Sequence, residues 1–137
     1  MISLIGAIHR WIYERSGGRI GRSLAGRPML LLYTVGARSG VERVSPLLYV
    51  EHGDGVAVFA SNNGGARNPG WLHNVRARPE AEVRVGRERY AVRAREAEGA
   101  ERDEVWAKGN AVNKGQYDTY QSRTDRPIPV VVLERIR

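Results

Sequence analysis

TVGARSG, Thr34 to Gly40, is the segment on which the reading of the fold turns. An apolar run, Met29 to Val35, leads into it and reads as a buried strand; a second, Val44 to Val50, leads out. Between them Gly36 and Gly40 flank Ala37-Arg38-Ser39, so the chain reverses over a glycine-bounded turn. Arg38 brings a forked, permanently charged donor, while Ser39 and the loop amides bring short neutral ones. Such a loop suits a phosphate or a carboxylate. Taken alone it also reads as an ordinary hairpin turn with a solvated arginine.

The flanking segments favour the first reading. Arg43 opens the second strand and Ser45-Pro46-Leu47-Leu48-Tyr49 continues it. Pro46 in an apolar run argues for an edge or a bulge, because proline has no N–H for the ladder. A third strand, Val56 to Ala60, ends in Ser61-Asn62-Asn63-Gly64-Gly65, and Asn68-Pro69-Gly70-Trp71 and Asn74 follow. Two glycine-bearing loops, two arginines and polar side chains at strand ends form a cradle for a large anionic ligand.

Further along, Trp71 to Arg78 is predicted as a short helix, with Asn68 as N-cap and Pro69 at its first position. Glu82 to Val85 and Arg89 to Arg95 alternate apolar and charged residues and are joined by Gly86-Arg87-Glu88. They predict a hairpin with one buried and one solvated face. Residues 99 to 112 predict a helix with Val105, Trp106, Gly109 and Val112 inward. Asn110 to Thr124 reads as a polar, tyrosine-bearing loop, and Ile128 to Ile136 as the closing strand. At the other end, Ile5, Ile8, Ile12 and Trp11 give residues 1 to 14 a helical apolar face, and Arg10, Arg15, Arg19, Arg22 and Arg27 make the region basic. The chain thus divides into an N-terminal helix and basic linker, 1–27, and a barrel domain, 28–137. The fold class is α+β, a small antiparallel β-barrel with two to four short helices.

Composition narrows the chemistry. The 137 residues suffice for one domain with a real core. The absence of cysteine excludes disulfides, thiol catalysis and thiolate metal sites. His9, His52 and His73 are too widely spaced for a zinc site, so no metal is expected. The net charge of +7 is carried by arginine, with Lys108 and Lys114 the only lysines. It fits nucleic acid, an anionic membrane surface or an anionic cofactor. Nucleic acid is the weakest of these, since no helix-turn-helix or zinc pattern occurs and the aromatics are not interleaved with the basic runs. Residues 1 to 14 are too short to span a bilayer and do not resemble a signal peptide. They are expected either to pack on the barrel or to lie at a membrane surface. No acid–base pair stands out; Asp118 and Asp125 have no histidine near them in sequence. Tyr117 and Tyr120 are the groups able to orient an acceptor, and redox chemistry would need a borrowed cofactor.

Together, TVGARSG, Arg43 with SPLLY, the Ser61–Gly65 loop, NPGWLHNVRARP (68–79) and YDTYQSRTDRPIPVVVLE (117–134) resemble the deazaflavin-dependent nitroreductase family. These are mostly actinobacterial enzymes with a split β-barrel related to flavin mononucleotide (FMN)-binding oxidoreductases. The resemblance runs from about Gly26 to Glu134. It implies coenzyme F420 (8-hydroxy-5-deazaflavin) as cofactor and hydride transfer from its reduced form to a quinone, nitro or other conjugated acceptor. It implies that Arg38, Ser39 and Arg43 hold the phosphate and polyglutamate tail. Val44, Ser45, Pro46, Leu47 and Leu48 would line the ring through backbone groups, faced by Ala60, Ser61 and Asn62. Trp71 and Asn74 would close the groove, with Tyr117, Tyr120 and Ser61 at the reacting face. Leu48 and Lys114 depart from the family's pattern, each standing where some members place a tyrosine, and both touch the acceptor pocket. Nitroimidazole activation is therefore not implied. The implied location is the cytoplasm, or the inner face of the cell membrane through residues 1 to 14. The competing readings are an FMN oxidoreductase on the same fold and a non-enzymatic carrier of deazaflavin or lipid.

Overall fold

In the computed structural model, which describes residues 28–137, the first apolar run is strand β1, Met29–Val35. Strand β2, Glu42–His52, returns beside it antiparallel, with Thr34 opposite Arg43 and Leu31 opposite Pro46. The remaining strands are β3, Gly55–Phe59, β4, Glu80–Val85, β5, Glu88–Glu96, and β6, Val130–Arg135. Helix α1 is Gly70–Ala77, α2 is Gly99–Asn113 and α3 is Gln116–Ser122. The strands close into an antiparallel barrel in the order β1-β2-β3-β6-β5-β4. This is the small antiparallel barrel expected from the sequence.

The side-chain period of two places Leu30 and Leu32 of β1, Tyr49 of β2 and Val56 and Val58 of β3 inside the barrel. Val83, Val92, Val131 and Leu133 meet them there, and α1 adds Trp71, Leu72 and Val75. Each such burial is worth about 1.5–3 kcal/mol relative to exposure. On the outer face, Ala57, Phe59, Val130 and Val132 are covered by Val105 of α2 and Tyr117 of α3. Burial on both faces explains why β3 and β6 are continuous apolar runs rather than alternating ones. The charged face of β4 and β5 is exposed as expected, but ordered into ion pairs: Arg89 with Glu82 at 2.6 Å and Arg93 with Glu80 at 3.3 Å. Exposed pairs of this kind contribute about 0–1 kcal/mol each.

Two expectations are corrected. The stretch read as a polar loop, Asn110 to Thr124, contains the end of α2 and the whole of α3. Lys114 and Gly115, at φ of 61° and 76°, make the left-handed turn between them. Asn68 is not the N-cap of α1. Pro69 holds that place, and the Asn68 side chain instead accepts a hydrogen bond from Arg126 Nη1 at 2.7 Å. The helix and basic linker expected over 1–27 lie outside the described residues. Among the described residues no helix is long and apolar enough to cross a membrane.

Candidate active site

Among the described residues, the strand after the TVGARSG turn has a partner on one side only for most of its length. β1 pairs with Glu42 to Leu48, whereas β3 pairs with β2 only from Tyr49 to His52. The Tyr49 amide donates to the Pro28 carbonyl at 3.2 Å, which fixes the alternation of the ladder. Leu47, Ser45 and Arg43 therefore turn their main-chain groups to β1, while Pro46 and Val44 turn theirs outward. Pro46 stands opposite Leu31 where the β1 ladder needs no N–H, so the edge reading of that proline holds.

This open edge forms part of a groove of about 420 Å³. Ser45, Pro46, Leu47 and Leu48 line it from β2, and Ser61, Asn62 and Asn63 from the turn after β3. Trp71 lines it from α1, and Asn113, Gln116, Tyr117 and Tyr120 from the end of α2 and from α3. Met29, Phe59 and Pro69 also line it, and among the described residues no lining residue carries a charge.

The helical wall is a fixed aromatic stack. Tyr117 is buried, its ring 4.2 Å from that of Phe59 and nearly parallel to it. Tyr120 meets Tyr117 edge-on at 6.2 Å, and its hydroxyl donates to Gln116 Oε1 at 3.1 Å. Asn113 Oδ1 accepts the Gln116 amide at 3.1 Å, tying the start of α3 to the end of α2. Asp118 accepts from Trp106 Nε1 at 2.7 Å. That bond, with a second from Asn110, holds its carboxyl below the ordinary range and ties α3 to α2.

The cationic loop lies farther along β2. Arg43 is two residues beyond Ser45, about 7 Å along the strand, and Arg38 and Ser39 sit at the exposed turn. Arg43 Nη2 donates to Ser39 Oγ at 3.4 Å, and Ser39 Oγ also accepts the Val41 amide at 3.1 Å. Helix α1 anchors the turn from below. Asn74 Nδ2 donates to Thr34 Oγ1 at 3.0 Å, and Asn74 Oδ1 accepts the Ala37 amide at 2.9 Å. Arg78 Nη1 reaches the Gly36 carbonyl at 3.4 Å.

Of the residues singled out from sequence, Ser45, Pro46, Leu47, Leu48, Ser61, Asn62, Trp71, Tyr117 and Tyr120 come together around the groove. Arg38, Ser39 and Arg43 lie outside its lining, at the turn. Asn74 does not line it either, because both ends of its amide hold that turn. The Val44 side chain packs with Leu31 and Tyr33 in a separate cluster, which leaves only its main chain facing the groove side. Ala60 is fully buried, its amide bound to the Pro129 carbonyl and its own carbonyl to Arg126. Sequence reasoning missed Phe59, Asn63, Asn113 and Gln116. Phe59 ends an apolar strand and looks like core. Asn113 and Gln116 flank a left-handed turn whose signal was Lys114-Gly115.

Comparison with known proteins gives a consistent result. A family model described as F420H(2)-dependent quinone reductase matches residues 6–135. An F420H(2)-dependent quinone reductase of Mycobacterium tuberculosis strain H37Rv is 43% identical over 131 residues, spanning 93% of this chain and 88% of the relative. A solved structure of an F420-H2 dependent reductase (FDR-A) superposes with a TM-score of 0.72 at 39% identity, covering 79% of this chain and 95% of that one. A second, described as a domain-swapped dimer, gives a TM-score of 0.73 at 34% identity over 91% of this chain and 98% of that one.

Proposed function

The chain belongs to the F420H(2)-dependent quinone reductase family, and from that premise we propose that it transfers a hydride from reduced F420 to a quinone in the groove beside β2. Membership makes it an F420-dependent oxidoreductase, and so places F420 ahead of FMN and an enzyme ahead of a carrier. The residues present fit that cofactor. A planar tricyclic ring suits an uncharged groove with an open strand edge, and an anionic side chain and tail suit the arginine turn farther along the same strand.

Reduced F420, when bound, supplies a hydride from its deazaflavin ring. The chain's part is binding, orientation and exclusion of water. Arg38, Arg43 and Ser39 take the phosphate and the tail carboxylates through charge-assisted hydrogen bonds. Asn74 holds the turn that carries them. Ser45 to Leu48, with the outward main chain of Val44 and Pro46, flank the ring on one side, and Ser61 and Asn62 on another. Trp71 closes the groove. The Tyr117–Phe59 stack offers a flat apolar wall to a quinone, and tyrosine hydroxyls can donate to its carbonyl as charge develops there.

The observation that carries this reading is the pairing of an uncharged, aromatic-walled groove with a strand edge left open by the end of β3. Anaerobic mixing of the protein with reduced F420 and menadione tests it by the return of oxidised-F420 absorbance. A rate equal to that of the protein-free mixture refutes it. A parallel assay with a nitroimidazole tests whether acceptors extend beyond quinones. Peripheral membrane contact through residues 1–14 belongs to the same proposal, since a quinone is a membrane solute. Co-sedimentation with anionic liposomes, lost on deleting residues 1–14 and weakened by salt, is the expected result.

A further inference from the structure

One wall of the groove is a turn with a left-handed backbone. Asn62, Asn63 and Gly64 follow one another at φ of 45°, 54° and 78°. For the two asparagines the left-handed region is less favourable than the right-handed one, so contacts from outside the turn help to hold it.

They come from Arg126, in the segment between α3 and β6. Arg126 Nη1 donates to the Ala60 carbonyl at 3.2 Å and to Asn68 Oδ1 at 2.7 Å. Its Nη2 donates to the Ser61 carbonyl at 2.9 Å and its Nε to the Gly65 carbonyl at 3.0 Å. The acceptors stand before and after the left-handed residues, so one planar group fixes both ends of the turn. All four are neutral; what the guanidinium contributes is a rigid fork of donors in one plane, which an ammonium cannot copy.

The other side of the groove is tied to the same residue. Gln121 of α3 donates from Nε2 to the Arg126 carbonyl at 2.8 Å and accepts the Ile128 amide on Oε1 at 2.8 Å. Gly64 packs so closely on α3 that an added Cβ would stand 2.7 Å from the Tyr120 carbonyl. Arg123 Nη1 reaches the Asn63 carbonyl at 3.4 Å. The Arg126 side chain thus holds the turn bearing Ser61 and Asn62, while its main chain, through Gln121, ties in the helix bearing Tyr117 and Tyr120 that packs directly on that turn.

We infer that Arg126 is a positioning residue for the reductase reaction: it holds the Ser61–Gly65 turn in register with the tyrosines of α3. This rests on the groove being the place of hydride transfer. Misplacing a reacting partner by about 1 Å costs roughly a hundredfold in rate, so the effect should appear in the chemical step more than in binding.

The test compares the full-length protein with Arg126→Lys and Arg126→Ala. Amide spectra of the protein without cofactor are expected to show shifted or broadened signals at Asn62, Asn63 and Gly64 in both variants, with barrel amides unmoved. Single-turnover oxidation of saturating reduced F420 by menadione is expected to slow tenfold or more, while the F420 dissociation constant rises by less. Millimolar guanidinium is expected to restore part of the rate of Arg126→Ala. A lysine variant at the wild-type rate would overturn the inference, since charge alone would then suffice; so would unmoved turn amides. Where Arg126→Ala fails to fold, Arg126→Lys and Asn68→Ala, which removes one acceptor, carry the same test. A wild-type protein without quinone reduction refutes the functional reading instead, and the amide spectra still decide whether Arg126 holds the turn.

Discussion

Gly109 lies in the middle of α2, where glycine is a poor helix former, and replacing it by alanine should still destabilise the protein. A Cβ there would overlap Phe59 Cζ and approach the two neighbouring ring carbons to 2.8 Å and 3.0 Å. Alanine brings back about 0.8–1 kcal/mol of helix propensity, while over-packing a core position costs about 1–3 kcal/mol. Phe59 has little room to yield, being stacked on Tyr117 at 4.2 Å and meeting Trp106 edge-on at 6.2 Å. The balance is a net loss of up to about 2 kcal/mol, or a melting temperature lower by up to about 8 °C. Gly70→Ala is the control, because no described residue lies within 4 Å of the Cβ it would add. It should gain about 0.4–1 kcal/mol through the unfolded chain. Thermal melts of the three proteins give the ordering. Phe59 is the only phenylalanine, so its ring resonances report displacement without ambiguity. The displaced ring carries Tyr117 with it, and the KM for quinone should rise. A Gly109→Ala protein that melts as high as Gly70→Ala, with Phe59 resonances unshifted, would refute the reasoning.

Asn74→Ala should cost about 1–3 kcal/mol by leaving the Ala37 amide and the Thr34 hydroxyl without their partner, and should weaken F420 binding; a melt and a cofactor titration check both, and an unchanged dissociation constant would detach the turn from the cofactor. Tyr117→Phe should keep the stack on Phe59, and hence stability, while lowering quinone turnover more than F420 affinity; equal losses in both would make Tyr117 a cofactor ligand. Glu101 is held at about 2, against an ordinary 4.5, first by a two-pronged hydrogen bond from Arg95 and then by His52. Because its folded pKa is depressed, its stabilisation is complete above pH 4.5 and is lost as pH falls toward 2. Glu101→Gln should therefore flatten the fall in melting temperature across that window, and a profile superposing on wild type would show that the pairing is not coupled to folding.

The barrel was legible in the sequence because its strands carry their own signal. Met29–Val35 is β1 without adjustment, and the alternation of Val83 and Val85 with Tyr90, Val92 and Ala94 is the hairpin of β4 and β5 that faces the interior. What the sequence hid was structure held by tertiary contacts. Helix α3, Gln116–Ser122, is mostly polar and has no apolar period. It stands because Tyr117 stacks on Phe59, Asn113 caps the Gln116 amide and Gln121 reaches the segment beyond. Local propensity is a weak prior against such contacts.

The candidate site was half legible for a related reason. Residue type and spacing marked the groups able to bind an anion or orient an acceptor, but which groups face the groove is decided by strand parity and by the far ends of side chains. Asn74 and Asn62 look alike in sequence, yet Asn74 spends its amide on the arginine turn while Asn62 lines the groove. Arg126 looks like one more arginine in a basic chain, and its role is set by carbonyls some sixty residues away. Pro46 is the exception. A proline survives in this strand only where the ladder asks nothing of its amide, so the sequence itself records which side of β2 is open. An open strand edge is otherwise a liability for a small protein, and the planar ligand proposed for the adjoining groove would cover this one.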